Sequence, residues 1–101
     1  MSPPSVYSAL ADDTRRAILA LLARDSLPAG EIAAAFALSK PTISHHLRVL
    51  EGADLVRSER RGTSIVYTLQ TNALEELARG LLDLASASSS KVRKLKRRPT
   101  S

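Results

Sequence analysis

The stretch LSKPTISHHLRVLEGADL, residues 38–55, decides the fold of this chain. Ser39 is a preferred helix N-cap, and Pro41 fits a first helical turn, where its missing backbone N–H costs little. The apolar residues that follow at helical spacing are Ile43, Leu47 and Leu50. Their spacing predicts one buried stripe and a polar outer face. Because Gly52 is a natural helix stop, we expect the helix to run from Ser39 to about Gly52.

Helical patterns also precede this stretch. The apolar residues that predict a short first helix are Val6, Tyr7 and Leu10. Asp12 or Asp13 is placed to cap a second helix, which continues to about Arg24. Pro28 opens a third helix, which must end just before Ser39 because Ser39 begins the next one. A turn of about three residues therefore joins the third and fourth helices.

After Gly52 the pattern changes from helical to alternating. LVRSER (residues 55–60) and SIVYTL (residues 64–69) alternate apolar and polar residues and are rich in β-branched side chains. They predict two strands of a β-hairpin with Gly62 in the turn. Because Arg-Gly is not a preferred two-residue loop, we expect a somewhat longer turn.

A last helix is predicted beyond the hairpin. Asn72 followed by Glu75 resembles a capping box, with Asn in the usual Ser or Thr position. The leucines that then form one stripe are Leu74, Leu77, Leu81 and Leu84. Ala78, Leu82 and Ala85 widen this stripe beyond what a lone terminal helix needs.

The order of elements defines the fold class. Four helices, a hairpin and a final helix describe a mainly α protein with a small β-hairpin, a winged helix-turn-helix of order α-α-α-α-β-β-α. We expect residues 1–85 to form one DNA-binding and dimerisation domain. Residues 86–101 are Ser-rich and basic, and their composition predicts a disordered tail. That tail is either a solvated end or an arm that seeks phosphate.

Charge and composition narrow the partners and the compartment. The net charge is +5, but six basic residues lie after residue 90, so residues 1–90 hold nine basic and ten acidic residues and carry −1. The absence of cysteine excludes disulfides and thiolate metal sites and fits a reducing compartment. No export signal and no apolar run of about 18 residues is present, so we expect a cytoplasmic protein with no membrane partner.

The outer face of the fourth helix is the candidate reading surface. It is short, polar and mildly basic, and its side chains match base edges and phosphates in a major groove. The residues assigned to DNA on this helix are Lys40, Pro41, Thr42, Ser44, His45 and Arg48. The wing residues assigned to a second groove or the DNA backbone are Arg57, Arg60, Arg61 and Gly62. An ordinary solvated helix face is the alternative, and the basic wing weighs against it.

Three blocks of the sequence together resemble a known family. ALADDTRRAILALL, LSKPTISHHLRVLEGADLV and RRGTSIVYTL are similar, in order and spacing, to the ArsR-type bacterial winged-helix repressors over about residues 6–85. The resemblance implies a homodimer, a recognition helix at residues 39–51, and repression of a promoter until an inducer releases it. The residues that it implies for the dimer interface, on the first and last helices, are Tyr7, Leu10, Leu74, Leu77, Leu81 and Leu84.

Two departures from the family pattern matter. Relatives often have glycine in the helix-turn-helix turn, whereas this chain has Ala37, which would cost about 1 kcal/mol if its φ is positive. Metal-sensing members carry a cysteine pair where this chain reads EIAAAF, or a His and carboxylate set on the last helix, which here contains no His. We therefore expect a member without metal and without a cofactor.

The adjacent histidines are better suited to contacting DNA than to binding a metal or to catalysis. His45 and His46 are consecutive on a helix, so their side chains diverge by about 100° and cannot close on one ion. No nucleophile is placed with a base, so an enzyme is a distant third possibility. His45 is predicted to contact DNA, and His46, at the edge of the buried stripe, to be packed and hydrogen-bonded.

The sequence is compatible with two functions. The first is a sequence-specific, homodimeric repressor of a palindromic operator, which senses a non-metal ligand or acts as an autorepressor set by its own concentration. The second is a winged-helix module that docks on protein and binds DNA weakly or not at all. A docking face would be apolar or aromatic at its centre, and the face of residues 40–48 is polar.

Overall fold

A computed structural model describes residues 5–97 of the chain. The helices are α1 (Val6–Leu10), α2 (Asp13–Leu22), α3 (Ala29–Phe36), α4 (Lys40–Gly52) and α5 (Asn72–Arg97), and the strands are β1 (Leu27–Pro28), β2 (Val56–Arg61) and β3 (Ser64–Leu69). The winged helix-turn-helix predicted from the sequence is confirmed, with one additional strand. Within residues 5–97, none of the helices is long and apolar enough to cross a membrane.

Helix α2 starts where its cap dictates. The carboxylate of Asp12, rather than Asp13, accepts a hydrogen bond from the backbone N–H of Arg15 at 3.0 Å. This bond satisfies one of the free N–H groups at the start of the helix. Helix α3 has no such side chain, and Pro28 stands at its cap position with extended backbone.

The core is formed where α2, α3 and α4 meet. Ile18, Ile32 and Ile43, one from each of these helices, have no solvent exposure. The stripe predicted for α4 is confirmed, because Leu47 and Leu50 are buried beside Ile43. Each such side chain contributes about 1.5 to 3 kcal/mol relative to exposure. The helix-turn-helix pair is therefore fixed from its inner side.

Helix α3 ends in a left-handed residue that is not glycine. Ala37 has φ 53° and ψ 38°. The N–H of Leu38 donates to the carbonyl of Ala33 at 3.2 Å, and the N–H of Ala37 donates to that of Ala34 at 3.3 Å. These two bonds form a Schellman motif. Ala37 therefore has the positive φ that the sequence analysis raised as a possible source of strain.

Helix α4 ends at Gly52 and is followed by the same motif. Gly52 is helical, and the left-handed residue is Asp54, with φ 59°. The N–H of Leu55 donates to the carbonyl of Leu50 at 2.9 Å, which closes the second Schellman motif. Aspartate tolerates this conformation better than alanine does, because its short polar side chain can bond locally. The predicted end of the helix at about Gly52 is confirmed, but the left-handed residue that follows the helix is Asp54 and not Gly52.

The hairpin is tighter than expected. Arg61 pairs with Ser64, so the loop consists of Gly62 and Thr63 alone. Gly62 has φ +62°, and a positive φ at the first loop residue is the requirement of a type II′ turn, which glycine meets without strain. The expectation of a longer turn is wrong because the loop is Gly-Thr and not Arg-Gly.

A short third strand extends the wing into a sheet of order β1-β3-β2. Leu27 pairs with Tyr67 and Pro28 with Val66, both antiparallel. The hydroxyls of Ser26 and Thr68 lie 2.9 Å apart at the end of this pairing. The wing is therefore joined to the segment between α2 and α3, which the sequence did not reveal because two residues carry no periodic pattern.

Helix α5 differs from the prediction at both ends. Asn72 is its first residue, and the N–H of Glu75 donates to the carbonyl of Thr71 at 2.8 Å, so Thr71 stands at the cap position expected for Asn72. The helix then continues to Arg97. Residues 86–97, predicted as a disordered tail, are helical because neither glycine nor proline interrupts them. Residues 98–101 lie outside the described residues, and the domain boundary at residue 85 stays a prediction.

The left-handed backbone of Ala37 generates a stability prediction. Ala37→Gly should raise the free energy of unfolding by about 1 kcal/mol, because glycine has no Cβ to strain at positive φ. Ala34→Gly, in the right-handed interior of α3, is the matched control and should lower it by about 0.5 to 1 kcal/mol. Urea denaturation of the three proteins measures both changes. A loss of stability in both variants would contradict the role of the backbone strain.

Candidate nucleic-acid interface

Helix α4 presents its predicted reading residues to solvent. Because its apolar stripe faces the core, five of the six residues assigned to DNA are exposed and Ser44 is half-buried. The exposed ones are Lys40, Pro41, Thr42, His45 and Arg48. The face combines an ammonium, a guanidinium, hydroxyls and an imidazole on one helix. These groups supply both donors and acceptors for base edges and phosphates.

The first turn of α4 is closed by a local hydrogen-bond pair. The hydroxyl of Ser39 accepts from the backbone N–H of Thr42 at 3.3 Å and lies 2.7 Å from the Thr42 hydroxyl. Thr42 is thus a capping partner as well as an outward-facing residue. Its rotamer is set by the cap, so the hydroxyl stands at a defined position at the start of the helix.

A groove of about 360 Å³ separates α4 from the wing. Lys40 and Ser44 line one side, Ile65 and Tyr67 of β3 line the other, and the first turn of α3 closes the end. Burial raises the pKa of the Tyr67 phenol, and the nearby carboxylate of Glu51 acts in the same direction. The phenol therefore remains an O–H donor at neutral pH. The groove offers an ammonium and hydroxyl donors, a combination suited to an anionic oxygen.

The arginines of the wing do not form one cluster. Successive residues of a strand face opposite sides, so Arg60 lies on one face of β2 and Arg57 and Arg61 on the other. Arg60 pairs with Ile65, which places it on the face that borders the groove. Arg61 is 3.5 Å from the carboxylate of Glu59. The sequence prediction placed the three arginines in one group, whereas the pleat puts Arg60 on the opposite face. The alternation of side chains along a strand was sufficient to predict this division.

A side-chain contact joins the wing to α4. The hydroxyl of Ser58 donates to Glu51 Oε2 at 2.8 Å. Neither residue was singled out from the sequence, since the contact depends on how β2 packs against α4. Together with the pairing of β1 and β3, it sets the position of the hairpin relative to the outer face of α4.

The two histidines have different surroundings, as predicted. His45 is exposed, whereas His46 is half-buried with its Nδ1 3.4 Å from Arg15 Nη1 and 3.9 Å from Asp12 Oδ2. The two rings are 5.8 Å apart and tilted by 55°. No group of three potential metal ligands occurs among the residues that the structure describes.

The same geometry is found in proteins of known class. A helix-turn-helix domain family matches residues 10–59. Transcriptional repressor SdpR of Bacillus subtilis is 42% identical over 79 residues, 78% of this chain and 88% of the relative. HTH-type transcriptional regulator Rv2034 of Mycobacterium tuberculosis is 45% identical over 76 residues, 75% and 71% of the two chains. An ArsR-like transcriptional regulator from Rhodococcus superposes with a TM-score of 0.84 at 30% identity, covering 91% of this chain and 87% of that one.

The chain belongs to the ArsR-type family. It is a DNA-binding transcriptional repressor of the winged helix-turn-helix class. The family resemblance seen in the sequence is confirmed, and α4 is the second helix of the motif, the one that enters the major groove in helix-turn-helix proteins.

The repressor also exposes apolar side chains on its terminal helices, which pack beside each other. Tyr7 of α1 is 68% exposed, and Leu81 and Leu84 of α5 are 49% and 67% exposed. The remaining residues assigned to a dimer interface are half-buried: Leu10, Leu74 and Leu77. Leu82, exposed by 68%, adds to this apolar surface.

The cap of α2 generates a pH prediction for the repressor. Hydrogen bonding from the Arg15 backbone N–H, aided by the Arg15 guanidinium, holds the pKa of the Asp12 carboxyl below its usual 3.8, although partial burial opposes this. The ionised carboxylate therefore stabilises the fold fully at pH values above its usual pKa. This contribution is lost as the pH falls through the lowered pKa. Asn also caps helices but does not titrate. From about pH 5 to about pH 2, Asp12→Asn should lose less unfolding free energy than the wild type, measured by urea denaturation. Parallel losses would exclude Asp12 as a contributor.

Proposed function

We propose that the repressor is a homodimer that covers a palindromic operator in the cytoplasm, pairing through α1 and α5 and reading DNA with α4. This proposal rests on the apolar surface of the terminal helices, which includes the exposed side chains of Tyr7, Leu81 and Leu84. A chain of this size gains stability by covering such a surface with a second copy.

The position of this surface supports a two-fold arrangement. Helices α1 and α5 come from opposite ends of the chain and pack beside each other, so one symmetric contact can cover both. A two-fold dimer presents two α4 helices. The operator should then contain two inverted half-sites about one helical turn apart, or a multiple of that distance.

Each residue of α4 has a role that its position supports. Ser44 and His45 contact base edges, because one borders the groove and the other is exposed in the middle of the outer face. Lys40 and Arg48 contact phosphates, since a flexible ammonium and an exposed guanidinium are suited to that charge. Thr42 and Pro41 lie in the first turn and set how closely the helix start approaches the DNA.

The wing adds contacts to the DNA backbone. Arg60 lies on the face of the wing that borders the groove and contacts the DNA backbone beside α4. Arg57 and Arg61 extend from the other face toward the flanking backbone or minor groove. Gly62 allows the tip to approach closely because it carries no side chain. A protein-docking module remains the second candidate function, but the polar α4 face offers it no apolar centre.

The dimer generates the first test. Leu81→Glu combined with Leu84→Glu should place charges in the apolar contact and convert a dimer at micromolar concentration into a monomer, measured by sedimentation velocity. Asp83→Lys changes the charge on the side of α5 opposite the leucine stripe and should leave the dimer intact. A wild-type protein that sediments as a monomer at micromolar concentration would refute the proposed assembly.

The reading surface generates the second test. The probes are a duplex selected from a random-sequence library by the wild-type protein and a scrambled duplex, each titrated at two salt concentrations. Ser44→Ala and His45→Ala should weaken binding to the selected duplex by about 1 to 3 kcal/mol and have little effect on the scrambled one.

Deleting residues 91–101 is the matched comparison. It removes six basic residues and should weaken binding to both duplexes alike, with the salt slope reduced by roughly 0.9 for each phosphate that the tail no longer neutralises. If the deletion abolished preference for the selected duplex while Ser44→Ala and His45→Ala kept it, the assignment of α4 as the reading helix would be wrong.

A further inference from the structure

We propose that Arg15 is a positioning residue that couples α1 to α4 and thereby sets the distance between the two reading helices of the dimer. The proposal rests on the proposed function, because it requires pairing through α1. Arg15 lies on α2, between the helix that would contact the partner and the helix that reads DNA. It belongs neither to the apolar surface nor to the outer face of α4.

One side of the Arg15 guanidinium holds the end of α1. Its Nε donates to the carbonyl of Ala9 at 2.8 Å, and its Nη2 donates to that of Ser8 at 3.1 Å. Carbonyls in the last turn of a helix have no partner within the helix. A single side chain therefore binds the Ala9 carbonyl, shares the Ser8 carbonyl with the Ala11 backbone N–H, and fixes the direction of α1 relative to α2.

The other side of the guanidinium meets α4. Arg15 Nη1 lies 3.4 Å from His46 Nδ1. Arginine has only donors, so Nδ1 is the acceptor in this contact. His46 immediately follows His45, so a rotation of α4 that breaks this contact also moves a residue of the reading face.

Asp12 fixes the backbone of Arg15 and lies close to His46. Asp12 Oδ2 accepts from the backbone N–H of Arg15 and lies 3.9 Å from His46 Nδ1. The contacts between these helices are otherwise largely apolar, through core residues such as Ala9 and Ile18. Apolar packing has no preferred direction, whereas hydrogen bonds do. The apolar stripe fixes which face of α4 is buried, and the hydrogen bonds of Arg15 set the fine orientation of that helix relative to α1.

Arg16 provides a matched control within the same turn of α2. Its guanidinium donates to the carbonyl of Leu10, also at the end of α1, and pairs with Asp13. Among the contacts in the described part of the chain, those of Arg16 stay within α1 and α2. Arg16→Met therefore removes a comparable capping contact and leaves the connection to α4 intact.

The experiment measures discrimination between half-site spacings. The probes are the duplex selected by the wild-type protein and two versions of it with one or two base pairs inserted at its centre. Arg15→Met should reduce the preference for the original spacing by about fivefold or more, the lower end of couplings between sites. Its preference for the half-site sequence over a scrambled half-site should not change. Arg16→Met should keep the wild-type discrimination.

A pair of His46 variants separates coupling from folding. His46→Leu removes the acceptor but leaves the α1 carbonyls bound, so it should lose spacing discrimination like Arg15→Met. His46→Gln restores an acceptor and should recover it. Thermal unfolding is recorded for every variant. If loss of affinity follows the melting temperature and is equal for all spacings, Arg15 is merely structural and the proposal is refuted.

The outcome for the wild type distinguishes the two proposals. A wild-type dimer that discriminates spacings, together with an Arg15→Met variant that discriminates equally well, refutes only the coupling. A wild type that sediments as a monomer or that ignores the spacing refutes the dimeric operator complex and, with it, the coupling.

Discussion

The burial of one face of α4 is the constraint on which the rest of this structure depends. Ile43, Leu47 and Leu50 enter the core shared with α2 and α3, and this leaves the helix no freedom to rotate. The same fixed rotation that buries these residues directs Ser44 and His45 outward. Stability and recognition therefore use opposite sides of a single helix, and a substitution on the inner side would act on both.

The parts of the fold that could be predicted are those encoded locally. Ser39, the α4 stripe and Asp12 act over one or two helical turns, so a cap or a 3.6-residue period in the sequence is sufficient to reveal them. The six α4 residues assigned to DNA follow from the same period, and the exposure of five of them needs no further information. Gly62 in the hairpin loop is likewise a local requirement, although the length of that loop was not predicted.

The parts that could not be predicted depend on distant segments. Strand β1 exists only because β3 lies beside it, and two residues cannot show a pattern of their own. The contacts of Ser58 with Glu51 and of Arg15 with His46 join elements whose relative placement is set by the core. The exception is the wing, where the adjacent positions of Arg60 and Arg61 already implied opposite faces.

The sheet has a consequence for the order in which a newly made chain folds. Strand β3 is joined to β2 by a two-residue loop, but it pairs with β1 across the whole of α3 and α4. Closing the short loop costs less entropy, so the hairpin precedes its attachment to β1. During synthesis the segment before α3 must wait until β3 has left the ribosome, and α5 emerges after β3. The helix-turn-helix and its wing are therefore complete before the apolar surface of α5 becomes available.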